Sequence, residues 1–265
     1  MSIQSDASAL NDAIKDPVPE LRPSESLIVT LQRGLMDPVS GIWQTEAEVR
    51  EMTGEDEEYM SGIEAKGTIS YSDYMVTLLK RTVVRVGKLT VADNPSVLDN
   101  ISMGDRDILF LGVIRATYGA TKEFQATCPN CDKDNDVVMD LDEDFPIQEP
   151  NVDLRSPIEI KLRNGKKAKL RVPTTGDSSA IGKKSQTSSE QNTFMIASCS
   201  VWEDGEQPQN IEKWAKSLNV ADRNKMVKAI LDVKAGPKLE EVKVPCAHCD
   251  QELIIRIDWI SLLLS

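Results

Sequence analysis

Two Cys-x-x-Cys knuckles, Cys128-Pro129-Asn130-Cys131 and Cys246-Ala247-His248-Cys249, constrain this chain more than any other feature. Strand-like segments flank each of them, and together they use four of the five cysteines. Two thiolates three positions apart supply half of a tetrahedral zinc site from one tight turn. Neither half of the chain completes a site alone. The single histidine, His248, lies between two cysteines, where its ring is directed away from a metal held by them. The simplest closed site takes Cys128, Cys131, Cys246 and Cys249 together, so that one structural Zn2+ staples distant parts of the chain. A redox dithiol is the competing chemistry, but thioredoxin-type pairs draw a low pKa from a helix N-terminus, and both pairs here run into loop and strand. Cys199, in an apolar stretch, reads as a buried thiol.

Around the knuckles the sequence can be laid against itself. The segment Arg50-Glu51-Met52-Thr53-Gly54-Glu55-Asp56 matches Arg171-Val172-Pro173-Thr174-Thr175-Gly176-Asp177. The Thr-x-x-Asp spacing in each suits a capped helix start, so Asp56 and Asp177 are expected as capping residues. Ser102 to Arg106 matches Asn219 to Arg223, again a cap with an acid three residues later, and each acid-arginine pair is expected to support its own helix end. The helices that follow carry Leu109, Phe110, Val113 and Ile114 in one copy and Met226, Val227, Ile230 and Leu231 in the other, a single buried stripe. Gly119 and Gly236 are expected as left-handed C-caps. The knuckle hairpins match last, with the loop after the second cysteine about two residues shorter in the second copy. Arg50 to Arg171, Asp105 to Asp222 and Cys128 to Cys246 are 121, 117 and 118 positions apart.

Three landmarks in one order at nearly constant offset indicate an internal duplication. The expected fold class is α+β: two similar strand-helix-hairpin modules joined by a shared four-cysteine, zinc-ribbon-like site. Residues 1–26 read as a flexible arm, 27–148 as the first module and 149–265 as the second. The second opens with a hairpin turning at Asn164-Gly165, whose first strand buries Ile158, Ile160 and Leu162 on one face.

A net charge of -12 and a pI near 4.7 argue against a surface that tracks phosphates. Basic residues from Lys161 to Arg171 crowd one hairpin and read as a solvated face. No apolar run approaches the roughly 18 residues that span a bilayer, so no membrane partner is expected. Few cysteines, concentrated in knuckles, fit metal binding in a reducing compartment. A closed four-thiolate site has no open coordination position, and the chain offers no second histidine, no Gly-rich phosphate loop and no further metal cluster. It is therefore read as a protein that is not an enzyme.

The segment Glu48 to Glu58, the strand Gly165 to Arg171 with Thr175-Gly176-Asp177, and the helix from Asp105-Arg106 to Ile114-Arg115-Ala116 resemble the T4-family baseplate hub assembly proteins of contractile-tailed bacteriophages, often described as hub assembly chaperones. The resemblance covers most of one module and then its second copy. It implies a non-enzymatic structural or assembly protein, acting in the host cytoplasm on other phage baseplate or tail proteins, then departing or remaining in the virion. A zinc-ribbon nucleic-acid-binding or transcription factor is the alternative, which the ribbon geometry permits and the charge disfavours.

Overall fold

The computed structural model describes residues 26–67, 69–203, 205–238, 242–255 and 262–263. The expected arm falls on residues outside these, except Ser26, which opens the first strand.

The first half begins with an antiparallel sheet of order β1-β2-β3-β4. Strand β1 (Ser26–Met36) pairs with β2 (Trp43–Arg50) from Ser26↔Arg50 to Met36↔Trp43, with an irregularity between Thr30 and Leu35. Helices α1 (Gly54–Glu64) and α2 (Tyr71–Thr82) intervene before β3 (Val83–Val86) and β4 (Leu89–Thr90). A 3-10 turn at Pro95–Asn100 leads into α3 (Met103–Tyr118), and the hairpin β5 (Thr121–Thr127) and β6 (Asp134–Asp140) follows. Ile108 to Leu111, Val113 and Ile114 are all buried, so α3 is a core helix and not a surface one. It lies across β1 and β2, and Gly112 permits the approach: a Cβ there would sit 2.8 Å from Val29.

The second half runs through elements of the same kinds in a similar order. These are β7 (Ile158–Lys161), β8 (Lys167–Leu170), α4 (Thr175–Lys184), α5 (Ser188–Cys199), β9 (Ser200–Val201), the short α6 (Ile211–Ser217), α7 (Val220–Leu231), β10 (Val242–Pro245) and β11 (Glu252–Ile255). The Asn164-Gly165 turn forms as expected, with Gly165 at φ +84° and its N–H on the Leu162 carbonyl. Ile160 and Leu162 are buried beneath it, and Ile158 packs at the margin. The charged face is solvated as expected at Lys161, Arg163, Lys166 and Lys167, and is partly covered only at Lys169 and Arg171. Lys167 and Lys169 pair with Glu159 and Glu203, and Arg171 is drawn into a partly buried pair with Asp177.

Two expectations for α7 are corrected. Met226, Val227 and Ile230 are buried, but Leu231 is 64% exposed because the helix ends there and only one stripe of it meets α5 and β7. Gly236 is not its C-cap either. Asp232, in a right-handed conformation, caps α7 through its N–H to Lys228 O, whereas Gly119 does cap α3 through its N–H to Arg115 O, but at φ +91° and ψ −164°, outside the left-handed helical region expected. Gly236, at φ +78°, lies instead where the two halves touch. Its N–H donates to Gln32 Oε1 (2.7 Å), its carbonyl accepts from Gln148 N–H, and a Cβ on it would come 2.7 Å from the Gly104 carbonyl oxygen.

Other contacts lock the halves together. Thr175 N–H donates to Ile101 O at 2.9 Å, and Met103 N–H donates to Pro173 O. One buried cluster runs from Leu31 to Phe145, and a smaller one from Ile160 to Ile230. The first also takes in Leu262 and Leu263 from the far end of the chain. Their carbonyls are held by the buried Lys122 ammonium, and Tyr118 Oη donates to Leu263 O at 2.9 Å. Burial pushes Lys122 down to about 8. No helix among the described residues is long and apolar enough to cross a membrane.

Candidate metal centre

The two knuckles have the same backbone. Cys128 N–H donates to Lys133 O and Asp132 N–H to Cys128 O; Cys246 N–H donates to Gln251 O and Asp250 N–H to Cys246 O, all at 2.9–3.0 Å. Asp132 and Asp250 both have φ 55° and are the only non-glycine residues with positive φ among those described. The hairpins close at Thr127↔Asp134 and Pro245↔Glu252, so the loops are equal in length and the shorter second loop expected from sequence is not found. Asp134 and Asp136, acids of the kind that usually mark a solvated loop, lie within strand β6. Thr127 Oγ1 donates to Asp134 Oδ1, and Gln125 Nε2 donates to Asp136 Oδ1 across the ladder.

Between the two turns all four sulfurs lie within 4.8 Å of one another. Cys128 Sγ is 3.8 Å from Cys249 Sγ, and Cys131 Sγ is 3.8 Å from Cys246 Sγ. Four sulfurs at Zn–S distances of about 2.3 Å form a tetrahedron with edges of about 3.8 Å, so the donor set has the dimensions such an ion requires. Among the described residues no other group of three or more His, Cys, Asp or Glu is placed to hold a metal. Cys199 lies in the second core, where burial pushes its thiol up to about 12.

The turns also touch directly. Ala247 N–H donates to Asn135 Oδ1 at 2.8 Å, and the Asn130 amide reaches Cys249 Sγ at 3.5 Å. His248 is exposed. Its Nε2 lies 3.2 Å from the Asp134 carbonyl oxygen, which requires the proton on that nitrogen and turns the ring onto the opposite hairpin's backbone. Leu253 fills the space under the sulfurs, and Val244 bridges this cluster to the first core.

Burial opposes ionisation of Cys246, but the N–H groups of His248 and Cys249 bring it down to about 6. The Asn130 amide lowers Cys249 as well. The Lys133 N–H favours a Cys131 thiolate, but burial and the hydrogen bonds to the other three sulfurs push it up to about 12. Four thiols this close cannot all ionise without a cation to compensate them. A metal ion held among the four sulfurs would supply that charge.

The paired acids were expected as caps, and two of them are caps with an added grip. Thr53 and Asp56 form a capping box, as do Thr174 and Asp177. Asp56 also binds Arg50 and Arg81, each at 2.7 Å, and Asp177 binds Arg171 at 2.6 Å. Burial works against the Asp56 charge, but Arg50, the Thr53 N–H and Arg81 hold its carboxyl well below the usual carboxylate range.

Asp105 and Asp222 act differently from expectation. Their N–H groups meet the caps Ser102 and Asn219, but their carboxylates reach other elements. Asp105 accepts the N–H groups of Gln32 (2.6 Å), Arg33 (3.2 Å) and Gly34 (2.9 Å), clasping the irregular stretch of β1. Asp222 accepts the Arg163 N–H at 3.1 Å. Arg223 reaches outward, tying α7 to Ala215 O and Thr193 Oγ1, whereas Arg106 stays on α3 and pairs with its neighbour Asp107. An acid at the third helical position signals a cap in sequence, and nothing local shows that both oxygens of Asp105 serve a strand some seventy residues away.

No curated protein and no solved structure matches this chain. The family described as T4 bacteriophage base plate protein matches residues 40–263, which include both knuckles, the second core and all the buried residues of the first except Leu31 and Leu35. The chain belongs to that family: it is a T4-type phage baseplate protein.

Proposed function

We propose that this chain is a non-enzymatic structural or assembly protein of a contractile phage tail baseplate, built from two diverged copies of one module and held in shape by one shared zinc ion. Cys128, Cys131, Cys246 and Cys249 would be its four ligands. The observation that carries the reading is that two hairpins 118 positions apart bring their sulfurs to tetrahedral spacing. Zinc suits an all-thiolate donor set, and full coordination leaves no position for water or substrate, so the ion would act structurally.

The matched element order, the equal φ values at Asp132 and Asp250, and the repeated Arg-Thr-Asp grip support the duplication, with modules at 27–148 and 149–265. Family membership supports partners among other baseplate and tail proteins. We place the protein in the host cytoplasm during hub assembly, in a chaperone-like role or as a component retained in the virion. Its acidic balance favours protein partners over nucleic acid.

The test is removal of the gene from the genome that encodes the chain, with tails inspected by electron microscopy. Tails lacking complete baseplates, restored by the wild-type gene in trans and not by a Cys131→Ser, Cys249→Ser form, are expected. Intact baseplates without the gene would refute the reading.

A further inference from the structure

Strand β1 forms one edge of its sheet, and among the described residues its backbone over Ser26 to Leu31 makes no hydrogen bond outside the β2 ladder. Folded proteins usually protect such edges by shortness, charge or proline. The other edges among the described residues follow that rule: β4 and β9 have two residues each, β7 carries Glu159 and Lys161, and the hairpin strands β5, β6, β10 and β11 carry Lys122, Asp136, Lys243 and Glu252. Ser26-Leu27-Ile28-Val29-Thr30-Leu31 has no charge, no proline and no glycine over about 20 Å of strand. Leu27, Val29 and Leu31 turn to the core, while Ile28 is 50% exposed. At the far end of the same strand the turn leaves Val39 94% exposed, and Asp37 fixes that turn by accepting the Val39 N–H and the Ser40 hydroxyl.

We propose that β1 accepts an extended strand from a different tail protein, in which apolar residues alternate with Lys or Arg; this rests on the assembly reading above. The main-chain groups of the edge would supply the hydrogen bonds, and side chains on the exposed face the selectivity. Beside Ser26, Ile28 and Thr30 on β2 lie Arg50, Glu48 and Glu46; Arg50 is taken up by Asp56, and the two glutamates share the single guanidinium of Arg85. The face beside the edge is therefore acidic, as is the whole chain at -12. A second copy would set like charge against like charge, whereas a basic strand is complementary.

Amide hydrogen exchange on the purified full chain, and on the same chain in isolated baseplate intermediates, tests this together with an Ile28→Lys form. Expected are alternate amides of residues 26–31 that exchange freely in the isolated chain and slow at least 100-fold in the intermediates. Ile28→Lys should keep its thermal midpoint and metal content, yet enter the intermediates at least tenfold less. Protection already present in the isolated chain overturns the proposal, whether deletion of residues 1–25 abolishes it or it varies with concentration as a dimer would. Normal incorporation of Ile28→Lys, in a background where loss of the gene blocks baseplates, overturns the edge proposal alone. Baseplates that form without the gene overturn both readings.

Discussion

Replacing Asp56 by Asn tests how the halves use their shared Arg-Asp device. The Asp56 side chain is fully buried and accepts Arg50 Nη1, Arg81 Nε, the Thr53 N–H and the Thr53 hydroxyl at 2.7–3.0 Å. Asparagine keeps the shape, removes the charge and points an amide at a guanidinium. Breaking a buried pair from one side costs about 3–5 kcal/mol. Both arginines are about a quarter exposed and can recover some hydration, which places the cost near the lower end, at about 3 kcal/mol. Asp177 is 12% exposed and has one arginine, so Asp177→Asn should cost about 1–2 kcal/mol. Thermal unfolding at pH 7 should then show Asp56→Asn lowered by roughly 6–12 °C, at 2–4 °C per kcal/mol for a chain of this size. The pH dependence has a definite sign. A native carboxyl held below its unfolded value contributes stability above the unfolded pKa, and that stability is lost as pH falls through the native one. Wild type should therefore lose more stability than Asp56→Asn below about pH 4. An Asp56→Asn cost no larger than that of Asp177→Asn, or an unchanged acid limb, would refute the reasoning.

Two further substitutions probe how the chain ends and crosses over. The Lys122 ammonium sits 4.0 Å above the Tyr118 ring and binds the Leu262 and Leu263 carbonyls, with its pKa lowered to about 8. Since the native state sheds this proton before the unfolded chain does, stability should rise from pH 8 towards 10.5, and Lys122→Met should lack that rise while its C-terminal residues become sensitive to carboxypeptidase. Gly236→Ala combines positive φ with a clash on Gly104 and should cost about 2–4 kcal/mol in urea unfolding, against about 1 for Gly119→Ala, where the added methyl meets open space. Equal costs at the two glycines would show that Gly236 is not a packing residue.

Local chemistry was legible in the sequence. The knuckles, the Asn164-Gly165 turn and the Thr-x-x-Asp starts each depend on residues within a few positions, and each stands where the spacing put it. Distant contacts were not legible. The Asp105 clasp on Gln32 to Gly34, the Gly236 to Gly104 contact and the Lys122 hold on Leu262 and Leu263 join points 70 to 140 positions apart, and neither partner carries a local mark of the other. Gly236 shows how this misleads: positive φ suits a C-cap and a close backbone crossing equally, and only the end of α7 at Asp232 separates them. The strand start at Asp134 was missed because its acids bond across the ladder, where polar side chains usually mark a loop.

X-ray absorption at the zinc edge of the purified full chain, with metal content measured on the same sample, tests the central claim most directly. A shared site predicts one zinc per chain with four sulfur ligands at about 2.3 Å. Two sulfurs with two lighter ligands per metal, or a folded chain that holds no zinc, would contradict it.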